Sequence, residues 1–377
     1  MPVPLPTHPS SDPPDADEAQ HIARGIVVAS TTTDGPTQLQ RALVESIALA
    51  MTGFPVTATV EPIGAHDFAL GLAHRDETFR IRILQLMILT ALVVRPLPDT
   101  VAARLDEFAA ELDVGDGMLA VVHDFATDAF GLAAVDFDRN GYTRDWSHEH
   151  RTALHTSTEL EEAWAASTHD PELAARWCAL ELLPAGTLGR RVTELYRARG
   201  FTYPGLPGSA PPLLAQHDWV HVLADYGTCV ESELEVFAFI ARANDEPRGF
   251  GLLAMVVSLF ETGALAQGAG LFEAYPGQLS HAGVAVRLAD AMRRGATVPG
   301  SVDFMAVDWF GVATLRVEDA RDHFGVVPKD PAAIAAGSVT PWEPGGISEF
   351  QLREGRRRAD ELGNAYDAFG ADVRVAH

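Results

Sequence analysis

Four side chains able to ligate a metal fall within one short stretch of the chain: His217, Asp218 and His221, then eleven residues, then Glu233. Two imidazoles and two carboxylates suit a divalent cation, with zinc the first expectation and iron or manganese the alternatives. With two carboxylates and no thiolate, the set reads as an open site that binds water or substrate at the ion, not as a closed structural zinc site. The plainer alternative is a polar packing cluster, since two histidines four apart on a helix are often half-buried hydrogen-bonding groups. The glutamate favours the cation, because a carboxylate among apolar residues is expensive unless it is paired or bound to an ion.

The spacing also specifies the elements that must carry these groups. On a helix, His217 and His221 stand one above the other on a single face, with Asp218 about 100° round from His217. If that helix ran on unbroken, Glu233 would lie about 18 Å along the axis from His221, out of reach of a shared ion. The chain must therefore turn. Gly227-Thr228 is the predicted turn, with Gly227 as a left-handed helix terminus and Thr228 and Glu231 as a capping box that starts a second helix. On that helix Val230, Leu234, Phe237, Ala238 and Ala241 form an apolar stripe, Glu231, Glu235 and Arg242 lie opposite, and Glu233 falls inside the apolar arc. Asp225 and Tyr226, adjacent to His221, are the expected groups to hold the ligands from behind. No catalytic acid or base beyond the ligands is assigned.

The arrangement of His217, Asp218, His221 and Glu233 resembles the metal signature of the Coq-four family of coenzyme Q (ubiquinone) biosynthesis proteins. Flanking segments are similar to that family's in the same order. Leu183-Pro184-Ala185-Gly186-Thr187-Leu188-Gly189-Arg190 lies upstream, and Arg293-Arg294-Gly295, Trp309 and the run from Leu315 to Val326 lie downstream. The resemblance covers about residues 180–327. It implies an all-helical domain and a divalent metal on His217, Asp218, His221 and Glu233. It also implies chemistry on the head group of a polyprenylated benzoate or quinone precursor, an oxidative decarboxylation at C1, and so an enzyme. A non-catalytic scaffold that presents prenylated precursors to other biosynthetic enzymes is the alternative. An HD-type phosphohydrolase ranks third, because that class needs a further upstream histidine and downstream aspartate.

The expected architecture is all-α with two helical domains. A proline-rich tail over 1–22 is read as disordered, and a helical N-terminal domain over 36–135 weakly resembles TerB-like domains. The metal-containing bundle, with an apolar lipid cavity, spans 150–330, and a C-terminal extension with a helix spans 331–377. Apolar spacing near 3.6 predicts helices over 38–52, 78–94, 101–112 and 117–128. The apolar, glycine-rich stretch from Gly249 to Phe272 is expected to wall a tunnel for an isoprenoid tail, with Gly263, Ala264, Gly268 and Gly270 giving it room. At the other end of the ligand, Thr187, Arg190 and Arg191 are candidates for an anionic head group at a helix N-terminus, beside the ordinary reading of Thr187 as a helix cap.

Composition narrows the partners. A net charge of −24 argues against nucleic acid and against polybasic attraction to anionic lipid. The expected partners are a prenylated quinone precursor or another isoprenoid lipid, with other biosynthetic enzymes or a second copy of the chain beside it. Only Cys178 and Cys229 occur, so neither a disulfide framework nor a thiolate metal site is supported. The first twenty residues have neither an apolar core nor arginines, so no targeting segment is expected, and the reading is a cytoplasmic protein able to associate with a membrane surface. Asp136-Phe137-Asp138-Arg139-Asn140-Gly141 matches half of a calcium loop, but Ser147 stands where the bidentate glutamate belongs. It is read as a polar turn, and His148, Glu149, His150 and His155 as a solvated helix start.

Overall fold

The computed structural model describes residues 13–58, 61–94, 98–115, 117–120, 169–245, 247–257 and 278–369. The half calcium loop, the cluster from His148 to His155 and the glycine-rich part of the expected tunnel, including Gly263, Ala264, Gly268 and Gly270, lie outside the described residues. Among the described residues the fold is all-α, and the β features are two isolated bridges, Thr32 with Gly35 and Thr187 with Arg316. No described helix is long and apolar enough to cross a membrane.

The chain divides into two compact units, both discontinuous in sequence. One comprises Met1–Thr127, Phe237–Thr297 and Lys329–Gly337; the other comprises Asp128–Val236, Val298–Pro328 and Ser338–His377. These boundaries differ from the expected 36–135 and 150–330, because residues 237–297 cluster with the N-terminal helices.

In the first unit, α1 (Ala16–Ser30), α2 (Gln38–Thr52), α3 (Ala65–Gly71), α4 (Glu77–Leu92) and α5 (Asp99–Glu111) come in succession. Helix α1 corrects the expectation of a disordered tail to residue 22. Asp15 accepts the Glu18 N–H as its cap, and Ala19, Ile22, Ala23, Ile26 and Val27 are buried along its inner face. The prolines and acids that signalled disorder precede the cap or sit on the exposed first turn. Helix α2 has the predicted bounds, set by a capping box between Thr37 and Gln40 and a left-handed Gly53. Helix α4 begins at the Asp76 cap and buries Ile83, Leu84, Met87, Ile88 and Leu89, so its apolar run is a core helix. Helices α1 and α4 pack together.

The rest of this unit comes from later in the chain. It includes the end of α9 (Val230–Ala243), α10 (Pro247–Val257) and α11 (Val284–Ala296). Helix α11 is strongly amphipathic. It buries Val284, Leu288, Ala291 and Met292 and packs along α2, while α10 packs on α4. Arg82 of α4 reaches the carbonyls of Ala241 (3.1 Å) and Asn244 and the Asp245 carboxylate (2.7 Å), which satisfies the C-terminus of α9 with a buried cation.

The second unit holds α6 (Pro171–Leu180), α7 (Leu188–Arg199), α8 (Ala215–Ala224), the start of α9, α12 (Trp309–Val312), α13 (Val317–Phe324) and α15 (Glu349–Glu361). The short α14 (Pro331–Ala335) belongs to the first unit. Leu188, Val192, Leu195 and Tyr196 of α7 are all fully buried, and α7 packs on α8 and α15. Trp219 of α8 stacks on Trp309 (centroids 5.7 Å apart, planes at 4°) and meets Trp177 at 5.5 Å, so an aromatic layer supports α8.

The discontinuous first unit gives a direct expectation. Leu288 of α11 is fully buried, and Leu288→Ala should cost about 2–5 kcal/mol. Leu182→Ala, at a side chain 87% exposed, should cost less than about 0.5 kcal/mol. Urea denaturation of the two variants beside the unaltered chain checks both.

Candidate metal centre

Helix α8 is buried on every side, and its end is set by a cation and an unusual backbone. Arg321 of α13 donates to the carbonyls of Leu223 (2.8 Å) and Val222 (3.3 Å), where the helix dipole is negative. Asp225 then takes the left-handed conformation (φ 66°, ψ 41°), a role expected of Gly227. Aspartate tolerates that region better than most residues, and its carboxylate faces Arg321 at 3.4 Å. The Asp225 carboxylate is thus paired with Arg321, while its backbone N–H donates to the His221 carbonyl. Gly227 is needed for another reason: a Cβ there would sit 2.6 Å from Gly346 Cα.

The second helix starts one residue later than a Thr228 cap would give. The carbonyl of Cys229 accepts the N–H groups of Ser232 and Glu233, both at 2.9 Å. The Thr228 hydroxyl instead lies 2.9 Å from Gln351 Oε1. Glu235, expected opposite the apolar stripe, is only 1% exposed, because α9 is enclosed on that side too.

The reversal brings the four candidate side chains together in a buried place: His217 and His221 are 0% exposed, Asp218 1% and Glu233 2%. Ligating atoms of His217, Asp218 and His221 lie within 4.8 Å of one another, so this buried group can hold a metal ion. Glu233 Oε2 lies 3.3 Å from His221 Nε2 and 3.5 Å from His217 Nε2, and Asp218 Oδ1 is 3.7 Å from His217 Nε2. Each imidazole is oriented from behind by a backbone carbonyl. His217 Nδ1 faces Leu214 O at 2.5 Å, and His221 Nδ1 faces Gly227 O at 2.7 Å and Tyr226 O at 3.3 Å. A carbonyl accepts only, so Nδ1 carries the proton on each ring and each Nε2 presents a lone pair inward.

Those inward lone pairs meet a carboxylate, which is unfavourable unless positive charge lies among them. His221 Nε2 and Glu233 Oε2 are buried and have no hydrogen-bond partner, the condition a metal ion would relieve. Burial alone would push the Glu233 carboxyl up, but the two imidazoles overturn this and hold it well below the usual carboxylate range. Glu233 therefore stays ionised at neutral pH. Its stabilising contribution is present above the ordinary value of 4.5 and is lost as pH falls towards its own lower value.

Two supporting groups were not assigned from the sequence. The Tyr196 hydroxyl donates to Asp218 Oδ2 at 2.5 Å, leaving Oδ1 on the histidine side. Its signal is a phenol on the fully buried stripe of α7, since a buried tyrosine needs an acceptor. Arg199, 1% exposed, is the other: burial pulls its guanidinium down to about 10, while the charges of Cys229, Tyr366, Glu233 and Asp218 act to raise it. Tyr226 places its carbonyl 3.3 Å from His221 Nδ1, and its backbone N–H donates to the His221 carbonyl at 3.0 Å. The Thr187, Arg190 and Arg191 group makes several bonds within the chain. The N–H groups of Leu188 and Gly189 are taken by the carbonyls of Leu315 (2.8 Å) and Ala313 (2.9 Å), and the Thr187 hydroxyl donates to Pro184 O instead of capping α7. Arg190 pairs with Glu194 and the Glu181 carbonyl, and Arg191 pairs with Glu194 and stacks on Trp342.

No protein-family model, curated protein or solved structure matches the chain.

Purified protein should carry close to one divalent ion per chain by elemental analysis, and His217→Ala or Glu233→Ala should abolish its retention. A metal-free protein whose His217→Ala variant melts at the unaltered temperature would instead mark a polar packing cluster. Tyr196→Phe, which strips the outer hydrogen bond from Asp218, should weaken the ion's affinity by about 10–100-fold in a chelator competition.

Proposed function

We propose that the chain is a metal-dependent protein acting on the head group of a polyprenylated benzoate or quinone precursor, with oxidative decarboxylation at C1 as its reaction. The reading is carried by the buried convergence of His217, Asp218, His221 and Glu233 between two helices, in the order the Coq-four resemblance implies. These four residues would hold the ion, zinc first and iron or manganese as alternatives. Bound there, a divalent ion supplies a Lewis acid that polarises a coordinated oxygen.

The surrounding charges favour an anionic ligand. Two carboxylates neutralise a divalent ion, and Arg199, whose charge reaches both Glu233 and Asp218, leaves one positive charge in excess. A benzoate carboxylate would balance it in a setting where few waters compete. Leu214 O and Gly227 O keep the imidazoles in one tautomer, so His217 and His221 serve as neutral ligands and not as proton carriers. Tyr196 keeps one oxygen of Asp218 occupied and thereby aims the other.

The test is to load the full-length protein with metal and supply, in air, a prenylated hydroxybenzoate labelled at its carboxyl carbon. Labelled carbon dioxide should be released by the unaltered chain and not by Glu233→Ala. Tight binding of the prenylated compound without release would identify the scaffold role, and absence of both would reject the substrate class.

A further inference from the structure

The turn that orients His221 is gripped by a part of the chain far away in sequence. The Gly227 N–H donates to the Val339 carbonyl (3.1 Å) and the Thr228 N–H to the Gly346 carbonyl (2.9 Å). Gln351 Nε2 donates to the Thr228 carbonyl at 3.0 Å, while its Oε1 lies 2.9 Å from the Thr228 hydroxyl. Arg199 threads through the same junction. Its Nε donates to Thr228 Oγ1 at 2.6 Å, and its Nη2 reaches the carbonyls of Pro341 (3.1 Å) and Gly346 (3.0 Å). The two backbones cross glycine on glycine, since a Cβ on Gly227 would meet Gly346 Cα and one on Gly346 would meet the Thr340 carbonyl at 1.9 Å. Within this turn, the Gly227 carbonyl is the group that faces the metal centre, 2.7 Å from His221 Nδ1.

We propose that residues 338–351, together with Arg199, form a clamp that sets the centre's metal affinity by fixing the turn that aims the Gly227 carbonyl at His221. The C-terminal extension is thereby part of the metal site, with Thr228, Gln351 and Arg199 as positioning residues that touch no ion themselves. Outer partners of this kind typically change metal affinity by about 10–100-fold when removed. Thr228 is the point where the clamp converges, because its N–H, carbonyl and hydroxyl are all engaged by it.

This inference rests on the metal reading of the four ligands, and one titration separates the two. Full-length apo-protein is titrated with cobalt(II), recording its visible absorption bands, for the unaltered chain and for Thr228→Val, Thr228→Ser and Gln351→Leu. The unaltered chain should bind cobalt. Thr228→Val should keep its far-ultraviolet circular dichroism, lose about 10–100-fold in affinity and give shifted bands, while Thr228→Ser, which keeps the hydroxyl, should restore both. A merely structural contact would lower stability without moving the bands of the bound ion. Folded Thr228→Val with affinity within about twofold of the unaltered chain and identical bands overturns the clamp and leaves the metal site standing. No cobalt uptake by the unaltered chain removes the metal site and the clamp together. Should Thr228→Val fail to fold, Gln351→Leu, which cuts the same junction from the other side, is read by the same criteria.

Discussion

Everything in the second unit answers to one electrostatic constraint: two carboxylates and two imidazoles share a volume from which water is excluded. Taking one ionised carboxylate out of water costs several kcal/mol even after relaxation. The cluster therefore persists only if charge of the opposite sign is held among the ligating atoms, and the surroundings are arranged for that outcome. Backbone carbonyls behind each imidazole choose the tautomer that points a lone pair inward. A tyrosine hydroxyl occupies the outer oxygen of Asp218, and Arg199 brings a distributed positive charge from beneath.

The same constraint explains the mechanical investment around α8. Buried polar groups set this close together tolerate little displacement, and a ten-residue helix has few contacts of its own with which to hold still. Its side away from the ligands is packed into a stack of Trp177, Trp219 and Trp309, which continues into Phe304 and Phe324. Its C-terminus is pinned by Arg321, and the turn that follows is pinned by backbone hydrogen bonds to the C-terminal extension.

What the sequence disclosed and what it withheld divide along physical lines. The convergence of these side chains was legible because HDxxH presents three donors on one helical turn, and Glu233 approaches them only if the chain doubles back. The bounds of α2 were legible because Thr37, Gln40 and Gly53 are local signals that act within a few residues. The left-handed role of Asp225 was not, since the usual preference for glycine is overridden by an ion pair with Arg321, a contact nearly a hundred residues away in sequence. Thr228 looked like a cap by the same local rules, yet its hydroxyl is claimed by Gln351 and Arg199. Thr187 likewise yields to a long-range partner: the segment that bridges it at Arg316 supplies acceptors for the Leu188 and Gly189 N–H groups at the start of α7. Tail composition concealed α1, because prolines and acids dominate the average while the apolar stripe begins only after Asp15.

The interleaving of the two units carries a consequence for how the chain must fold as it is made. The core that begins with α1 and α2 is completed by α11, which emerges some 230 residues later in synthesis, so the amino-terminal helices cannot close their core when they leave the ribosome. Until then the α2 face that receives α11 is exposed apolar surface, a target for chaperones or for aggregation. The second unit is delayed further, since the turn beside His221 waits for residues 338–351. The turn that orients His221 is therefore gripped only after residues 338–351 have emerged.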